Sequence, residues 1–315
     1  MKPLVVITGP TAVGKTELSI KIAKAIDGEI ISADSIQVYK HMDIGSAKIT
    51  KEEMQGIKHY LVDEFEPDEE FNVHVFKEKT LEYMDKIYEA GKIPIIVGGT
   101  GFYIQSVLYD IQFNDEEIDS AYRKELENIA KEKGNDYLHN MLKEVDEESA
   151  LNIHKNNLKR VIRALEFYKN TGGKISTHNE EQSQNISPYN FVYFVLNDKR
   201  ELLYERINKR VDIMFDKGLV NEVKNLLNMG YTKDLVSMNG IGYKEVVDYI
   251  NGKYSLDETK EIIKRETRHF AKRQLTWFRR EKDVTMVNYF DYDSIDDTLK
   301  YMINTLREKD IIKND

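Results

Sequence analysis

Short, continuously apolar runs alternate along the chain with longer stretches whose apolar residues recur every three or four positions. Leu4-Val5-Val6-Ile7, Glu29-Ile30-Ile31-Ser32-Ala33, Ile93-Pro94-Ile95-Ile96-Val97 and Phe191-Val192-Tyr193-Phe194-Val195-Leu196 read as buried strands, and Ile57–Val62 as a shorter one. Leu18, Ile22 and Ala25 follow the first run at helical spacing. Val73–Glu89 is an amphipathic helix, with Phe76, Leu81, Met84, Ile87 and Tyr88 as its buried positions and Gly91 as its stop. Lys40–Thr50 is a loop with helix-start signals. From residue 110 to 187 the pattern changes: Glu, Lys and Asn abound and no run resembles a strand. The expected division is therefore 1–110 with 188–315 as a sheet core, and 111–187 as a helical insertion. Within it Leu158, Val161, Ile162 and Leu165 form one helix stripe, with Lys159, Arg160 and Arg163 on the opposite face. A charged face of this kind is by default a solvated one. Thr171–Pro188 is polar, with paired glycines, and reads as a loop. Beyond the last apolar run, a long helix from Lys199 to about Lys217 is capped by Gly218, Asn221–Met229 is a short helix, and a basic helix spans about Leu256 to Arg280. No internal repeat is present.

The first strand and helix enclose Gly9-Pro10-Thr11-Ala12-Val13-Gly14-Lys15-Thr16. Strand, glycine loop and helix in that order are the setting of a phosphate-binding loop. Gly9 and Gly14 let the backbone curl so that successive N–H groups face phosphate oxygens, and the helix N-terminus adds partial positive charge. Lys15 adds a full charge, and the Thr16 hydroxyl is placed to hold Mg²⁺. A di- or triphosphate is the expected ligand, and the loop alone leaves ATP open. Asp34-Ser35-Ile36-Gln37 ends the second strand on the same rim, where ligands of open parallel sheets bind. A helix cap or a solvated turn is the plainer reading of Asp34. Gly98-Gly99-Thr100-Gly101 ends another strand, and its N–H groups and the Thr100 hydroxyl can face the same ligand or merely form a turn. A nucleoside triphosphatase more usually ends such a strand in an acid for Mg²⁺. Asn239-Gly240-Ile241-Gly242-Tyr243-Lys244 is a glycine-rich turn opening a further helix.

Charge refines this picture. The formal net charge is −9, which argues against a generally basic nucleic-acid coat. Yet Lys264–Arg280 carries seven Lys or Arg against one acid, a net +6 that leaves −15 elsewhere. Acids gather in Asp63–Glu70 and Asp115–Asp119. A local basic track interleaved with His269, Trp277 and Phe278 suits RNA, since phosphate attraction acts over about a Debye length, ~8 Å in physiological salt. Trp277 reads as a core residue. The chain has no cysteine, no run long enough to span a bilayer, and no room for a signal segment before residue 9. A cytoplasmic protein without disulfides, thiolate metal sites or a membrane partner is expected. The seven histidines show no metal-ligand spacing.

Taken in order, GPTAVGKT, ISADSIQVYKHMDIGSAK, IIVGGTGFYI, LKRVIRALE, GIGYKE and AKRQLTWFRR resemble the bacterial tRNA dimethylallyltransferase (tRNA isopentenyltransferase) family over roughly residues 4–280. The loop is common to many NTPases, whereas the ordered set is highly specific. The resemblance implies an α/β fold, a P-loop NTPase-like parallel sheet with flanking helices and an inserted, mostly helical domain that grips the anticodon stem-loop. It implies transfer of a dimethylallyl group from its diphosphate to N6 of adenosine 37 of tRNA, with Mg²⁺ as cofactor and a monomeric enzyme. It assigns Asp34 as the base, with Lys15 and Thr100 also catalytic. It assigns Gly9, Pro10, Thr11, Ala12, Val13, Gly14, Lys15 and Thr16 to the diphosphate. It assigns tRNA contact to Asp34, Ser35, Ile36, Gln37, Thr100, Arg123, Lys159, Arg160, Val161, Ile162, Arg163, Asn239, Gly240, Ile241, Gly242, Tyr243 and Lys244. The family often has glutamine where Asn239 stands. Eukaryotic relatives carry a C-terminal zinc finger, which a chain without cysteine cannot build in its usual form.

Two other readings use the same residues. A small-molecule or nucleotide kinase would bind MgATP, with Asp34 as metal ligand or hydroxyl base; the second glycine turn and the basic track stand against it. A non-catalytic RNA-binding protein would keep a relic loop; intact Lys15, Thr16 and Asp34 stand against that.

Overall fold

The structure, a computed structural model, describes residues 1–112 and 120–313, so the acidic stretch Asp115–Asp119 lies outside the described residues. The chain divides into two compact units, Met1–Leu108 with Pro188–Asp315, and Tyr109–Ser187. The first contains strands β1 (Lys2–Thr8), β2 (Gly28–Ala33), β3 (His59–Tyr60), β4 (Ile93–Gly98), β5 (Tyr189–Asn197) and β6 (Val284–Asn288). They form one six-stranded sheet ordered β3-β2-β4-β1-β5-β6, every neighbouring pair parallel. Helices α1 (Lys15–Ile26), α2 (Lys51–Met54), α3 (Val73–Glu89) and α4 (Gly101–Leu108) belong to the same unit. Helices α5 (Ser120–Lys133), α6 (Asn135–Val145), α7 (Glu147–Asn152), α8 (Leu158–Thr171) and α9 (Ile175–Ser183) make the second unit. The first then resumes with β5, α10 (Arg200–Asp216), α11 (Leu219–Asn228), α12 (Tyr243–Ile250), α13 (Leu256–Phe278), β6 and α14 (Ile295–Glu308).

Parallel strands need long crossovers, and helical crossovers cover both sheet faces. That is why Leu4, Val5, Val6 and Ile7 are all fully buried rather than alternately so. Val5 and Ile7 point into one cluster with Leu18 and Ile22 of α1, Leu203 and Ile207 of α10, and Met302 and Leu306 of α14. The second unit has its own core, in which Leu126, Leu138, Leu142, Val161 and Leu165 are buried. Asp146 ties its helices together. Its Oδ1 accepts from the Ser149 amide (3.0 Å) and the Ser176 hydroxyl (2.7 Å), its Oδ2 from the Ser149 hydroxyl (2.7 Å) and the Ser176 amide (3.0 Å).

Four local expectations change. The strand expected at Ile57–Val62 shrinks to His59–Tyr60, paired with Ile30-Ile31. In α3, Phe76, Met84 and Ile87 are buried, while Leu81 and Tyr88 are half-buried. The loop expected over Thr171–Pro188 contains α9, none of whose residues is buried, so it lacks the apolar stripe that marks a helix in sequence. Beyond Arg280, β6 adds the sheet's last strand and α14 packs into the main cluster. Among the described residues no helix is long and apolar enough to cross a membrane.

Candidate active site

Three neighbouring strands deliver the three expected motifs to one rim. Thr8 of β1 and Ala33 of β2 both lie in register with Gly98 of β4 between them. The chain therefore leaves the sheet at one level as Gly9–Thr16, as Asp34–Gln37 and as Gly99–Gly101. This is the carboxyl edge, where open α/β sheets bind ligands. Gly9 is required there: its φ is 143°, and a Cβ would fall 2.4 Å from the Leu196 carbonyl oxygen of β5. Ala12 adopts φ 63° with no glycine to ease it, so the surrounding structure holds the loop's curl.

Lys15 folds over this loop, its Nζ donating to the Gly9 and Pro10 carbonyls at 2.9 Å each. Burial and the nearby Arg210 guanidinium push its pKa down to about 8, while the Asp34 carboxylate opposes them. The phosphate lysine and the carboxylate expected to act as base thus feel each other's charge. Arg210 of α10 is solvent-exposed, yet enough protein surrounds it for desolvation to lower its pKa, as in a cleft. The Thr16 hydroxyl is exposed at the start of α1. Among the described residues no cluster of three His, Asp or Glu side chains is built to hold a metal by itself. A Mg²⁺ here would combine the Thr16 hydroxyl with phosphate oxygens and water, the usual way this ion is held.

Asp34 is half-buried, and its Oδ1 accepts from the amides of Ile36 (2.9 Å) and Gln37 (3.2 Å). The capping turn expected as the plainer reading is therefore real, and it orients the carboxylate. The Gln37 side chain donates to the carbonyls of Ser46 and Ala47, both at 3.2 Å. The second glycine turn is closely packed. The Thr100 amide is spent on the Ala33 carbonyl (3.2 Å). A Cβ on Gly99 would meet Gln274 Nε2 at 2.1 Å, and one on Gly101 would meet Trp277 Nε1 at 2.2 Å. Trp277 in turn lies edge-to-face with exposed Phe102, ring centroids 6.4 Å apart.

The turn Asn239–Lys244 reaches the same rim, since a Cβ on Gly240 would sit 3.3 Å from Ile36 Cδ1. Asn239 is exposed and donates its amide to the Leu235 carbonyl (2.9 Å). Ile241 and Lys244 are half-buried. Tyr243 is fully buried, its hydroxyl donating to Glu222 Oε1 (2.8 Å), so its side chain is withdrawn from the expected RNA contacts. Gly242, which starts α12, is buried as well.

In the second unit Lys159, Arg160 and Arg163 are exposed along α8 and make no salt bridge among the described residues. Val161 and Ile162 are corrected: at 0% and 4% exposure they belong to that unit's core and cannot offer side chains to RNA. Arg123 is also committed, its Nε and Nη2 clamping the two oxygens of buried Glu166 at 2.8 and 2.6 Å. The basic track on α13 divides. Lys264 pairs with Asp212 (2.9 Å), Arg265 with Glu266 (3.1 Å), and Arg268 donates to Asn208 (2.5 Å). Lys272, Arg273, Arg279 and Arg280 remain exposed, with no salt bridge among the described residues.

A family model described as IPP transferase matches residues 37–281, more than three quarters of the chain. The chain belongs to the IPP transferase family. It is 60% identical over 313 residues to a tRNA dimethylallyltransferase of Lachnoclostridium phytofermentans, covering 99% of this chain and 100% of the relative. A tRNA dimethylallyltransferase of Acetivibrio thermocellus is 54% identical, covering 97% and 98%. Among solved structures, the full-length tRNA isopentenylpyrophosphate transferase of Bacillus halodurans matches with TM-score 0.74 at 43% identity, over 98% of both chains. A eukaryotic dimethylallyltransferase acting on tRNA matches with TM-score 0.82 at 29% identity, over 98% of this chain and 80% of that one. None of these is a kinase, and that alternative has no support.

Three site residues of this IPP transferase are absent from the sequence-based set. Arg210 is one of many charges on α10, and nothing local distinguishes it. Glu222 accepts the amides of Asp43 (3.0 Å), Ile44 (2.7 Å) and Gly45 (3.0 Å), which anchors the loop that Gln37 also holds. Gln274 bonds to the phosphate loop and to the Gly99 turn together. Its signal was available: it interrupts the apolar stripe of Ala271 and Phe278 with a buried amide.

Proposed function

We infer that this protein is a tRNA dimethylallyltransferase, moving a dimethylallyl group from dimethylallyl diphosphate to N6 of adenosine 37 and releasing diphosphate. The observation that carries this is the sheet edge at which the phosphate loop with Lys15 and the amide-held Asp34 leave the strands at one level; Lys15 lies near enough to Arg210 and Asp34 for both charges to act on it. A phosphate loop beside a carboxylate fits a reaction in which a diphosphate leaves and a proton must be taken up. As the allylic C–O bond breaks, negative charge grows on the leaving oxygen. The free loop amides, Lys15 and Arg210 would stabilise that charge. Mg²⁺, held through Thr16, would add Lewis-acid stabilisation of the leaving diphosphate. Asp34 accepts the N6 proton as the C–N bond forms, held for this by the Ile36 and Gln37 amides.

The acceptor adenosine must leave its stack to reach this rim. Half-buried Ser35, Ile36, Gln37, Thr100, Gly240, Ile241 and Lys244 and exposed Asn239 would line its entry, with Gly242 and Tyr243 buried behind them. Lys159, Arg160 and Arg163 would meet the anticodon stem-loop phosphates, and in the sheet unit Lys272, Arg273, Arg279 and Arg280 are exposed cations able to meet RNA phosphate. The enzyme works in the cytoplasm as a monomer. The test is diphosphate release from the donor with Mg²⁺, with and without unmodified tRNA. Release that needs tRNA is expected; release without tRNA, or phosphoryl transfer from MgATP, would overturn the reading.

A further inference from the structure

We propose that Gln274 is a positioning residue that sets the phosphate loop against the Thr100 turn, and through them the donor against the acceptor; the proposal rests on the transferase reading above. Its side chain is 6% exposed. Oε1 accepts from the Thr11 amide at 2.8 Å, and Nε2 donates to the Gly99 carbonyl at 3.0 Å. The partners fix the orientation of the amide, because a flip would oppose donor to donor and acceptor to acceptor. The two contacts reach across 263 and 175 residues of sequence to adjacent strand ends. One step back along the same two strands, the Thr8 hydroxyl donates to the Gly98 carbonyl at 2.7 Å, so Gln274 extends a link that the sheet edge begins.

Two features argue that this geometry, rather than packing, explains the residue. The site lies on an apolar stripe between Ala271 and Phe278, where methionine would fill the same volume without burying an amide. A buried amide is tolerated only when both ends are satisfied, and an apolar side chain here would leave the Thr11 N–H and the Gly99 carbonyl without their partner. In addition, Gly99 is shaped for the contact, since any Cβ there would strike Gln274 Nε2. The Thr11 amide is thereby withheld from the diphosphate and used to fix the loop that the diphosphate meets. A shift of about 1 Å between donor and acceptor can cost ~10²-fold in rate.

Gln274→Met and Gln274→Glu test this. Protonated glutamic acid has one donor and one acceptor, as the amide has, whereas the carboxylate cannot face the Gly99 carbonyl. Single-turnover transfer is measured from about pH 6 to about pH 8 and divided by the wild-type rate, which removes pH effects common to both. The ratio for Gln274→Glu is expected to climb roughly tenfold toward low pH, with tRNA affinity unchanged. Gln274→Met is expected to lose ~10- to 100-fold in kcat under conditions where calorimetry shows it fully folded, with a melting temperature lowered by the two lost hydrogen bonds. A flat ratio, or full turnover in Gln274→Met, would overturn the proposal. Pyrophosphate binding with Mg²⁺ is measured in parallel on the same variants. If wild type transfers no prenyl group, the transferase reading fails, and pH-dependent weakening of pyrophosphate binding in Gln274→Glu alone decides the role of Gln274.

Discussion

Lys15 should make donor binding pH-dependent in a window that other groups do not share. Burial and Arg210 lower its pKa to about 8 in the free protein. A bound diphosphate replaces solvent with negative charge and restores the cation, so binding above pH 8 must take up a proton. The sign follows: affinity is constant below about pH 8, where Lys15 is already charged, and falls about tenfold per pH unit above it. At about pH 9.5 only ~3% of free Lys15 is protonated, so the affinity should be ~30-fold below its value at about pH 6.5, or ~2 kcal/mol. Arginine stays charged throughout that range. Calorimetric titration of dimethylallyl diphosphate with Mg²⁺ into wild type and Lys15→Arg separates this titration from that of the ligand, which both share. Wild type should weaken with pH more steeply than the variant and absorb protons on binding. Parallel profiles would refute the assignment of Lys15 to the diphosphate.

Asp34→Asn keeps an oxygen for the Ile36 and Gln37 amides, so the turn should survive while the single-turnover rate falls ~10²- to 10⁴-fold with tRNA and donor binding nearly intact; rescue by added Mg²⁺ would make Asp34 a metal ligand instead. Lys159→Ala and Arg163→Ala should weaken tRNA binding and each flatten its salt dependence by about one unit of slope, without changing donor affinity; unchanged salt slopes would return both to a solvated face. Asp146→Ala strips partners from two amides and two hydroxyls and should destabilise the helical unit by ~3 kcal/mol, seen as proteolysis within residues 109–187 before the sheet unit is cut. Burial alone would raise the Asp146 pKa, but the Ser149 and Ser176 hydrogen bonds lower it below its usual value. Its contribution is therefore complete above about pH 4 and lost as pH falls through the folded pKa, so the wild-type helical unit should loosen in acid and Asp146→Ala should show a smaller change. An equal acid response in both would argue against this carboxylate.

The sheet was legible because β1, β2, β4 and β5 are continuous apolar runs, and the phosphate loop because its residues are contiguous. The α8 stripe was also readable, and the same stripe buries Val161 and Ile162, which a motif taken as a block had placed on the RNA. Other features depend on distance in sequence. Gln274 and Thr11 are 263 residues apart, and Glu222 and Ile44 are 178 apart, so no local pattern joins them. Glycine is ambiguous in the same way: a turn with Gly99 and Gly101 looks alike whether it cradles an anion or admits Gln274 and Trp277. Helix α9 buries nothing and so leaves no period to read. In the first half of the α13 basic track Lys264 and Arg268 look free in sequence because their partners Asp212 and Asn208 lie on another helix.

The central claim is that the group on the diphosphate is delivered to one nitrogen of one nucleoside. Unmodified tRNA with adenosine at position 37 is incubated with the protein, Mg²⁺ and dimethylallyl diphosphate, then digested to nucleosides and resolved by mass spectrometry beside the same tRNA carrying guanosine at 37. N6-dimethylallyladenosine, about one per tRNA, is expected from the first substrate and none from the second. Prenylation that persists in the guanosine-37 tRNA, or an adenosine-37 tRNA that returns unprenylated while the donor is bound, would contradict that claim.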